Sequence, residues 1–258
     1  MHMAQNHQRA DDGRRPFRYT FLNQTHTDVS SLVRALAAHW EEGKAELSEG
    51  SLSEGFAPYD AEAAALCRQA ERDCVADPQD DDWIFLDLLY RLDKGLKTFF
   101  KRGTPYSDLK VLGREILKDL REGDFSECRF WNGLLRKNIL SDHGRRLFRE
   151  AKSAKIASVL EGIGDPDTDD ERTQILNTYA VGYFLANEIS FVTDGKTVKT
   201  VPQLTQYMNA LLDISYEALA EFCHTLIDYD NVPDVQLEAF LLACGKKEEL
   251  AAWRADMD

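Results

Sequence analysis

Apolar residues recur every three to four positions along most of the chain, which is the spacing of one helix face. The stretch from Tyr19 to Phe56 predicts an extended arm, a tight turn, an N-cap and one amphipathic helix. Asp28 or Ser30 can cap this helix, because a side-chain oxygen accepts hydrogen bonds from unpaired N–H groups of the first turn. The apolar stripe of the helix is formed by Leu32, Leu36, Trp40 and Leu47.

The most hydrophobic stretch, residues 83–100, predicts the helix at the centre of the core. Its wide apolar face carries Phe85, Leu88, Leu89, Leu92, Leu96 and Phe99. We expect Leu88, Leu92 and Leu96 to be buried, because they lie on three successive turns of one stripe.

Helical periodicity continues to the end of the chain and predicts a mainly α fold, either a multi-helix bundle or an irregular helical repeat with short extended arms or hairpins. Residues 1–15 are polar and receive no structural role. Residues 16–164 are expected to form a helical domain. Residues 165–258 are expected to form a second helical unit, either separate from the first or continuous with it.

An arm, a turn, a polar stretch and an amphipathic helix occur in this order three times. The turn pairs are Asn23-Gln24, Arg102-Gly103 and Asp194-Gly195, and the helices begin with Leu32, Leu109 and Leu204. Asp194-Gly195 is the strongest hairpin signal, because a type I′ turn needs residues that tolerate positive φ. The three stretches are either homologous units with insertions of a few residues, or generic pieces that recur by chance.

A resemblance rests on residues 32–52, where Trp-Glu-Glu-Gly-Lys is followed by Leu-x-x-Gly-x-Leu. Its companion pattern is the helix of residues 108–117 with Leu112-Gly113, followed by Leu134-Leu135 and Ile139-Leu140-Ser141. These patterns resemble helical segments of bacterial proteins that also carry DnaK-type chaperone or serine/threonine-kinase-like domains. The chain contains none of the glycine motifs with which those domains bind phosphate. The resemblance therefore implies an accessory module and no catalytic residue.

The composition narrows the range of partners. The 31 Lys and Arg face 45 Asp and Glu, which gives a net charge of -14. A broadly acidic surface repels phosphate backbones and anionic lipids, so we expect binding to neither nucleic acid nor membrane. The five widely spaced cysteines predict reduced thiols and a cytoplasmic location. No run of apolar residues is long enough to predict a membrane span.

Motifs for catalysis or metal binding are weak. No two histidines have the spacing of a metal pair, and Ser141-Asp142-His143 lacks the geometry of a triad. Asp165, Asp167 and Asp169 begin like an EF-hand loop, but Asp170 replaces the required Gly and Leu176 the bidentate Glu. We therefore predict no metal and no cofactor, and expect these acids to cap the following helix.

A basic stretch between residues 129 and 155 contrasts with the acidic chain. One interpretation is a solvated face that balances neighbouring acids. The other is a docking surface for an acidic protein partner, since arginine and aromatic residues dominate interface hot spots. The proposed partner-binding residues are Arg129, Trp131, Arg136, Arg145, Arg146 and Arg149.

These observations favour a non-enzymatic cytoplasmic adaptor or protein–protein interaction module. The alternative is an enzyme or effector whose active site is assembled from distant loops and carries no recognisable motif. The partner, pathway and oligomeric state do not follow from the sequence.

The acidic loop allows a first test. If the loop of residues 165–170 only caps a helix, millimolar Ca²⁺ will leave the melting temperature unchanged, because a ligand stabilises a fold only by binding it preferentially. Thermal unfolding with and without Ca²⁺ measures this. A rise of several degrees that disappears in Asp167→Ala would instead demonstrate a cation site.

Overall fold

The computed structural model describes residues 16–123, 125–136, 139, 143–147, 170–227 and 232–255. The described chain is mainly helical, with three two-stranded hairpins, which confirms the predicted fold class. It divides into two compact units, the first ending at Leu96 and including Phe100–Pro105, the second containing Lys97–Phe99 and the chain from Tyr106 onward. The boundary expected at residues 164 and 165 and the stretch of residues 1–15 lie outside the described residues.

The first compact unit contains a hairpin and five helices. The strands are β1 (Tyr19–Phe21) and β2 (Gln24–His26). The helices are α1 (Val29–Ala38), α2 (Trp40–Ser48), α3 (Ser51–Phe56), α4 (Ala61–Ala76) and α5 (Asp81–Leu92), with a 3₁₀ turn at Pro78–Asp80. A second hairpin pairs β3 (Phe99–Lys101) with β4 (Thr104–Tyr106), and its tip belongs to this unit.

The second compact unit continues with α6 (Leu109–Glu122), α7 (Phe125–Arg136) and the single turn α8 (Gly144–Leu147). Helix α9 (Glu171–Ala186) leads into the third hairpin, β5 (Phe191–Thr193) and β6 (Lys196–Val198). The chain then forms α10 (Val201–Ile214), α11 (Tyr216–Thr225), α12 (Val235–Ala243) and α13 (Lys247–Ala255).

The three hairpins and the helices that follow them form three hairpin–helix motifs with one common spacing. Each has a three-residue strand, a two-residue turn, a second three-residue strand, one linking residue and an N-cap residue. The central turn residues all have positive φ, as a type I′ turn requires: Leu22 and Asn23, Arg102 and Gly103, Asp194 and Gly195. The insertions expected from the sequence are absent, and the first turn lies one residue earlier than predicted.

The side chains at equivalent positions of the motifs are also similar. The first strand residue is a buried aromatic in each: Tyr19, Phe99 and Phe191. The N-cap side chains accept a hydrogen bond from the first helical turn in each: Asp28, Asp108 and Thr200. The fourth helical position is a buried leucine: Leu32, Leu112 and Leu204. Leu112, and not Leu109 as the sequence suggested, is therefore the second member of this set.

The first compact unit packs α1 to α5 around buried aromatic and aliphatic side chains. The single helix predicted to end near Gly50 and Gly55 is two helices that separate at His39, and a third helix follows Gly50. His39 leaves helical geometry at φ -112° and ψ 69°, and Gly50 is left-handed at φ 79°. The predicted stripe is nevertheless buried, because Leu32, Leu36, Trp40 and Leu47 all face the core.

Helix α5 is shorter than predicted. It ends at Leu92, where Asp93 becomes extended and accepts a hydrogen bond from the Gly95 N–H. Leu88 and Leu96 are buried as expected, Leu96 from the loop, while Leu92 is only partly buried. Phe99 is buried from strand β3 and not from the helix.

Helices α6 and α9 form the most extensive helix pair of the second unit. Two glycines allow this close approach. A Cβ atom at Gly113 would lie 2.2 Å from the Ala186 backbone nitrogen, and one at Gly182 would lie 2.9 Å from the Leu117 side chain. The two backbones therefore approach more closely than any larger residue would permit.

The C-terminal part of this unit has its own apolar cluster, which includes Phe191, Val198, Leu204, Phe222 and Phe240. The long helix predicted for residues 234–253 is instead α12 and α13, because the chain turns at Gly245 with φ 78°. Apolar side chains remain exposed where α10 meets α11: Leu212 is 50%, Ile214 75% and Tyr216 73% exposed.

The α6–α9 contact predicts the effect of one methyl group. Gly113→Ala should lower the free energy of unfolding by about 1–3 kcal/mol, because the Cβ overlaps the α9 backbone and overpacking costs this much. Intrinsic helix propensity alone would favour Ala by about 1 kcal/mol, so the sign is diagnostic. Urea denaturation measures the difference.

The matched control is Gly95→Ala, at an exposed turn where the nearest atom is an Asp93 carboxylate oxygen at 3.2 Å. Gly95→Ala should change stability far less, because the added Cβ would meet one side-chain oxygen at 3.2 Å and no backbone atom. A Gly113→Ala protein as stable as the wild type would show that α6 and α9 do not approach this closely.

Candidate functional site

A cleft of about 940 Å³ lies in the second compact unit. The cleft is lined by the first two turns of α6, by α9 and the three residues that follow it, by the linking residue Lys199, and by the end of α12 and the start of α13. Apolar side chains form much of its lining, among them Leu176, Ala180, Phe184, Ala239 and Leu242. The cleft therefore offers apolar surface to a ligand.

Four cations line the same cleft: Lys110, Arg114, Lys199 and Lys247. Lys110 and Arg114 are four residues apart on α6, so they lie on one helix face, one turn apart. Glu188 is the one acidic side chain among the lining residues. The local charge is thus positive, although the whole chain carries -14. We call these four side chains the cationic rim.

The cationic rim contains an internal ion pair. The Glu188 Oε1 atom lies 2.9 Å from Lys199 Nζ, and its Oε2 atom lies 3.5 Å from Arg114 Nη2. The hydrogen bond from Lys199 holds the pKa of the Glu188 carboxyl below its usual range, and the Arg114 charge acts in the same direction. Lys110 and Lys247 make no ion pair with any described residue.

The cleft lacks the parts of a nucleophilic or acid–base site among its described residues. Tyr183 donates its hydroxyl hydrogen bond to the Ser190 carbonyl, and burial raises its pKa. In the first compact unit, burial raises the pKa of Cys67 to about 12 and that of Cys74 to about 11, so neither is an activated thiol. Across the described residues, no three His, Cys, Asp or Glu side chains cluster as metal ligands. The arrangement is suited to binding an anionic group attached to an apolar body.

The aromatic anchor predicted from the sequence is wrong. Trp131 is only 2% exposed and donates its indole N–H to the Asp119 carboxylate at 2.7 Å. Its ring stacks on Phe99 and meets Phe130 edge-on, and Phe130 is buried too. The alternation of aromatic and basic residues in this stretch reflects an amphipathic helix with its aromatic face inside.

The basic residues proposed with Trp131 do not form a described surface. Arg129 is partly buried, and Arg146 is partly buried with its guanidinium beside the His143 ring. The side chains of Arg136 and Arg145, and all of Arg149, lie outside the described residues. Docking at these positions stays a prediction, without the tryptophan.

Asp170 is the one residue of the acidic loop that the structure describes. Asp170 caps α9 by accepting hydrogen bonds from the Thr173 backbone N–H and hydroxyl, as the capping interpretation predicted. Residues 165–169 lie outside the described residues.

Sequence reasoning missed the cationic rim, because its members are far apart in the chain. The available signal was the pair Lys110 and Arg114 on the predicted helix, which places two cations on one face. Lys199 and Lys247 stand beside helix starts, and nothing in their sequence neighbourhood distinguishes them from ordinary surface lysines.

A second charged cluster, in the first compact unit, has a structural role. The Asp82 carboxylate accepts hydrogen bonds from Trp40 Nε1 at 2.7 Å, Lys44 Nζ at 2.8 Å and Arg102 Nε at 2.5 Å. These donors come from α2 and from the tip of the β3–β4 hairpin. We call this group the Asp82 clamp, because it joins the first turn of α5 to both.

Comparison with known protein families, with characterised proteins and with solved structures finds no match. Within the described part of the chain, none of the helices has the length and apolar character needed to cross a membrane.

The Asp82 clamp predicts a pH dependence of stability. Hydrogen bonds from Lys44 and Trp40 outweigh burial and lower the pKa of Asp82. A carboxyl whose pKa is lower when folded contributes stability that is complete above its unfolded pKa of about 3.9 and is lost as the pH falls through the folded value. Asp82→Asn should cost roughly 1.5–3 kcal/mol at neutral pH.

Denaturant unfolding of wild type and Asp82→Asn across the acid range measures this effect. The difference between the two proteins should be constant near neutrality and narrow below about pH 4. Asp213→Asn is the control, because Asp213 is an exposed aspartate of α10, in the second compact unit. A difference that stays constant down to the most acidic pH would contradict the ionic role of Asp82.

Proposed function

We propose that this chain is a non-enzymatic cytoplasmic adaptor, a protein–protein interaction module, and that its cleft binds a segment of an acidic partner protein. The observation that supports this proposal is an apolar cleft with a cationic rim in a chain of net charge -14. The segment would present apolar side chains to the cleft and at least one carboxylate to the rim.

Each part of the cleft favours such a ligand for a physical reason. Apolar side chains of the segment would leave water and pack against Leu176, Phe184 and Leu242. Removal of apolar surface from water is the main source of favourable free energy in association. A local positive field would accelerate the encounter with an acidic segment and orient it. The same field, within a chain that is acidic elsewhere, would discriminate against basic partners.

The availability of Lys110 and Lys247 is central to the proposal. A ligand carboxylate pairs with these cations without first breaking an ion pair to a described residue. Both side chains are exposed, and each belongs to the first turn of a helix, α6 or α13. Their positions are therefore held by secondary structure, and their charges are open to solvent and ligand.

An enzymatic function is not favoured by any specific observation on the cleft. Its described polar side chains are four cations, one ion-paired carboxylate, the Asn187 amide and a hydrogen-bonded tyrosine. Such a set supplies charge and orientation, but no activated nucleophile with a neighbouring base.

The proposal predicts the effect of reversing two charges. Short fluorescent peptides of Leu, Ala and Asp should bind the wild type more tightly than peptides with Asn in place of Asp. The double variant Lys110→Glu, Lys247→Glu should lower the affinity for the acidic peptide by about tenfold, given the modest strength of exposed ion pairs. It should also reduce the salt dependence of this binding. Fluorescence anisotropy at two salt concentrations measures both effects.

The control is Lys94→Glu, an exposed lysine of the first compact unit that does not line the cleft. It makes the net charge more negative, as either single reversal at the rim does, and should leave peptide affinity nearly unchanged. If Lys94→Glu weakens peptide binding as much as Lys110→Glu or Lys247→Glu alone does, the effect is due to overall charge and not to the rim. Equal binding of the Asp and Asn peptides would refute the proposed ligand class.

A further inference from the structure

The cationic rim has two electrostatically different parts. Lys110 and Lys247 make no ion pair with a described residue, whereas Arg114 and Lys199 share the Glu188 carboxylate. Glu188 bridges them with separate oxygens, one to each cation. A carboxylate held between a guanidinium and an ammonium has the geometry that an external carboxylate would adopt in an anion subsite.

We infer that Arg114 and Lys199 form a second anion subsite of the cleft, which the chain's own Glu188 side chain occupies, and that Glu188 thereby decides which acidic segments bind. This inference rests on the proposed function. It adds that the native protein selects segments whose acidic residue pairs with the open cations. A segment with a second acidic residue within reach of Arg114 and Lys199 has to compete with Glu188.

The backbone at Glu188 is held in place by neighbouring hydrogen bonds. Asn187 ends α9 in the left-handed conformation at φ 52°, and the Glu188 N–H bonds back to the Tyr183 carbonyl at 3.3 Å. Just beyond, Arg121 donates to the Ser190 carbonyl at 3.0 Å and to its hydroxyl at 2.7 Å. The Glu188 carboxylate can therefore leave the subsite by rotation of its side chain, with the backbone unchanged.

The exposure of the three side chains agrees with an exchangeable occupant. The Glu188 side chain is 29% exposed, that of Arg114 63% and that of Lys199 57%. Ion pairs at such exposure contribute little net free energy, since water solvates the separated charges well. A ligand carboxylate can thus take the place of Glu188, but the competition lowers its apparent affinity.

The test uses Glu188→Gln in the full chain and two synthetic peptides of Leu, Ala and Asp. One peptide carries Asp at both ends, separated by about one helical turn as Lys110 and Arg114 are, and the other carries Asp at one end and Asn at the other. The substitution removes the competing charge and keeps the shape of the side chain. It should strengthen the peptide with two acidic ends by about threefold to fivefold, beyond any gain for the other peptide, as expected for one exposed ion pair.

A second pair of variants isolates the subsite. Arg114→Gln should have little effect on the peptide with two acidic ends in the wild type, because Glu188 holds this cation. In the Glu188→Gln background the same substitution should cancel the gain. Circular dichroism and melting curves check that each variant is folded, and Glu188→Ala repeats the measurement with a shorter neutral side chain.

The possible results separate the inference from the proposed function. If Glu188→Gln and Glu188→Ala strengthen both peptides equally, the gain reflects overall charge and the second subsite is refuted. If neither changes affinity while Lys110→Glu and Lys247→Glu still weaken binding, the cleft binds acidic segments but Glu188 does not select them. If neither the wild type nor any variant binds an acidic peptide more tightly than the same peptide with Asn in place of every Asp, both proposals fail.

Discussion

The architecture depends on a backbone constraint that occurs three times: two consecutive residues with positive φ, followed at a fixed distance by a helix N-cap. The type I′ turn matches the natural twist of paired strands, so it brings the two strands into register over very few residues. The cap lies five residues after the last turn residue in every motif, and the helix begins at the next residue. Because the link is one residue long, the direction in which each helix leaves its hairpin has little freedom.

The fixed link determines which side chains face inward. In the third motif, Phe191 of the first strand, Val198 of the second and Leu204 of the helix belong to one apolar cluster. The corresponding aromatic and leucine of the other motifs are also buried. The remaining faces differ between motifs, and this difference gives each its own environment. Gly113 lets α6 lie against α9, whereas the equivalent Thr205 of α10 is exposed.

The cleft combines features that arise separately. Its apolar lining comes from the inner faces of α9 and α12, which the packing of the unit requires in any case. Its cations come from the first turns of α6 and α13 and from the link before α10. Basic side chains at helix starts gain nothing from the helix dipole, which favours acids there. Glu188 limits that positive field without abolishing it.

Much of the fold was determined by local patterns in the sequence. The helical class, the Asp194-Gly195 hairpin and the capping roles of Asp28 and Asp170 follow from interactions among residues close in the chain. The burial of Leu88 could be predicted from the apolar periodicity of its helix. The order of arm, turn and helix was also visible three times. Local free energies decide these features, because turn conformation and helix capping involve only a few neighbouring residues.

Tertiary structure decided the rest. The helical periodicity of the sequence continues through His39 and Gly245, although the folded chain ends a helix at each. The same periodicity could not show whether Trp131 faced the core or the solvent. Its burial is explained by Phe99 and Asp119, which contact it in the folded chain. The cationic rim is likewise a product of folding, because electrostatic potential depends on distance in space, and its members come from segments far apart in the sequence.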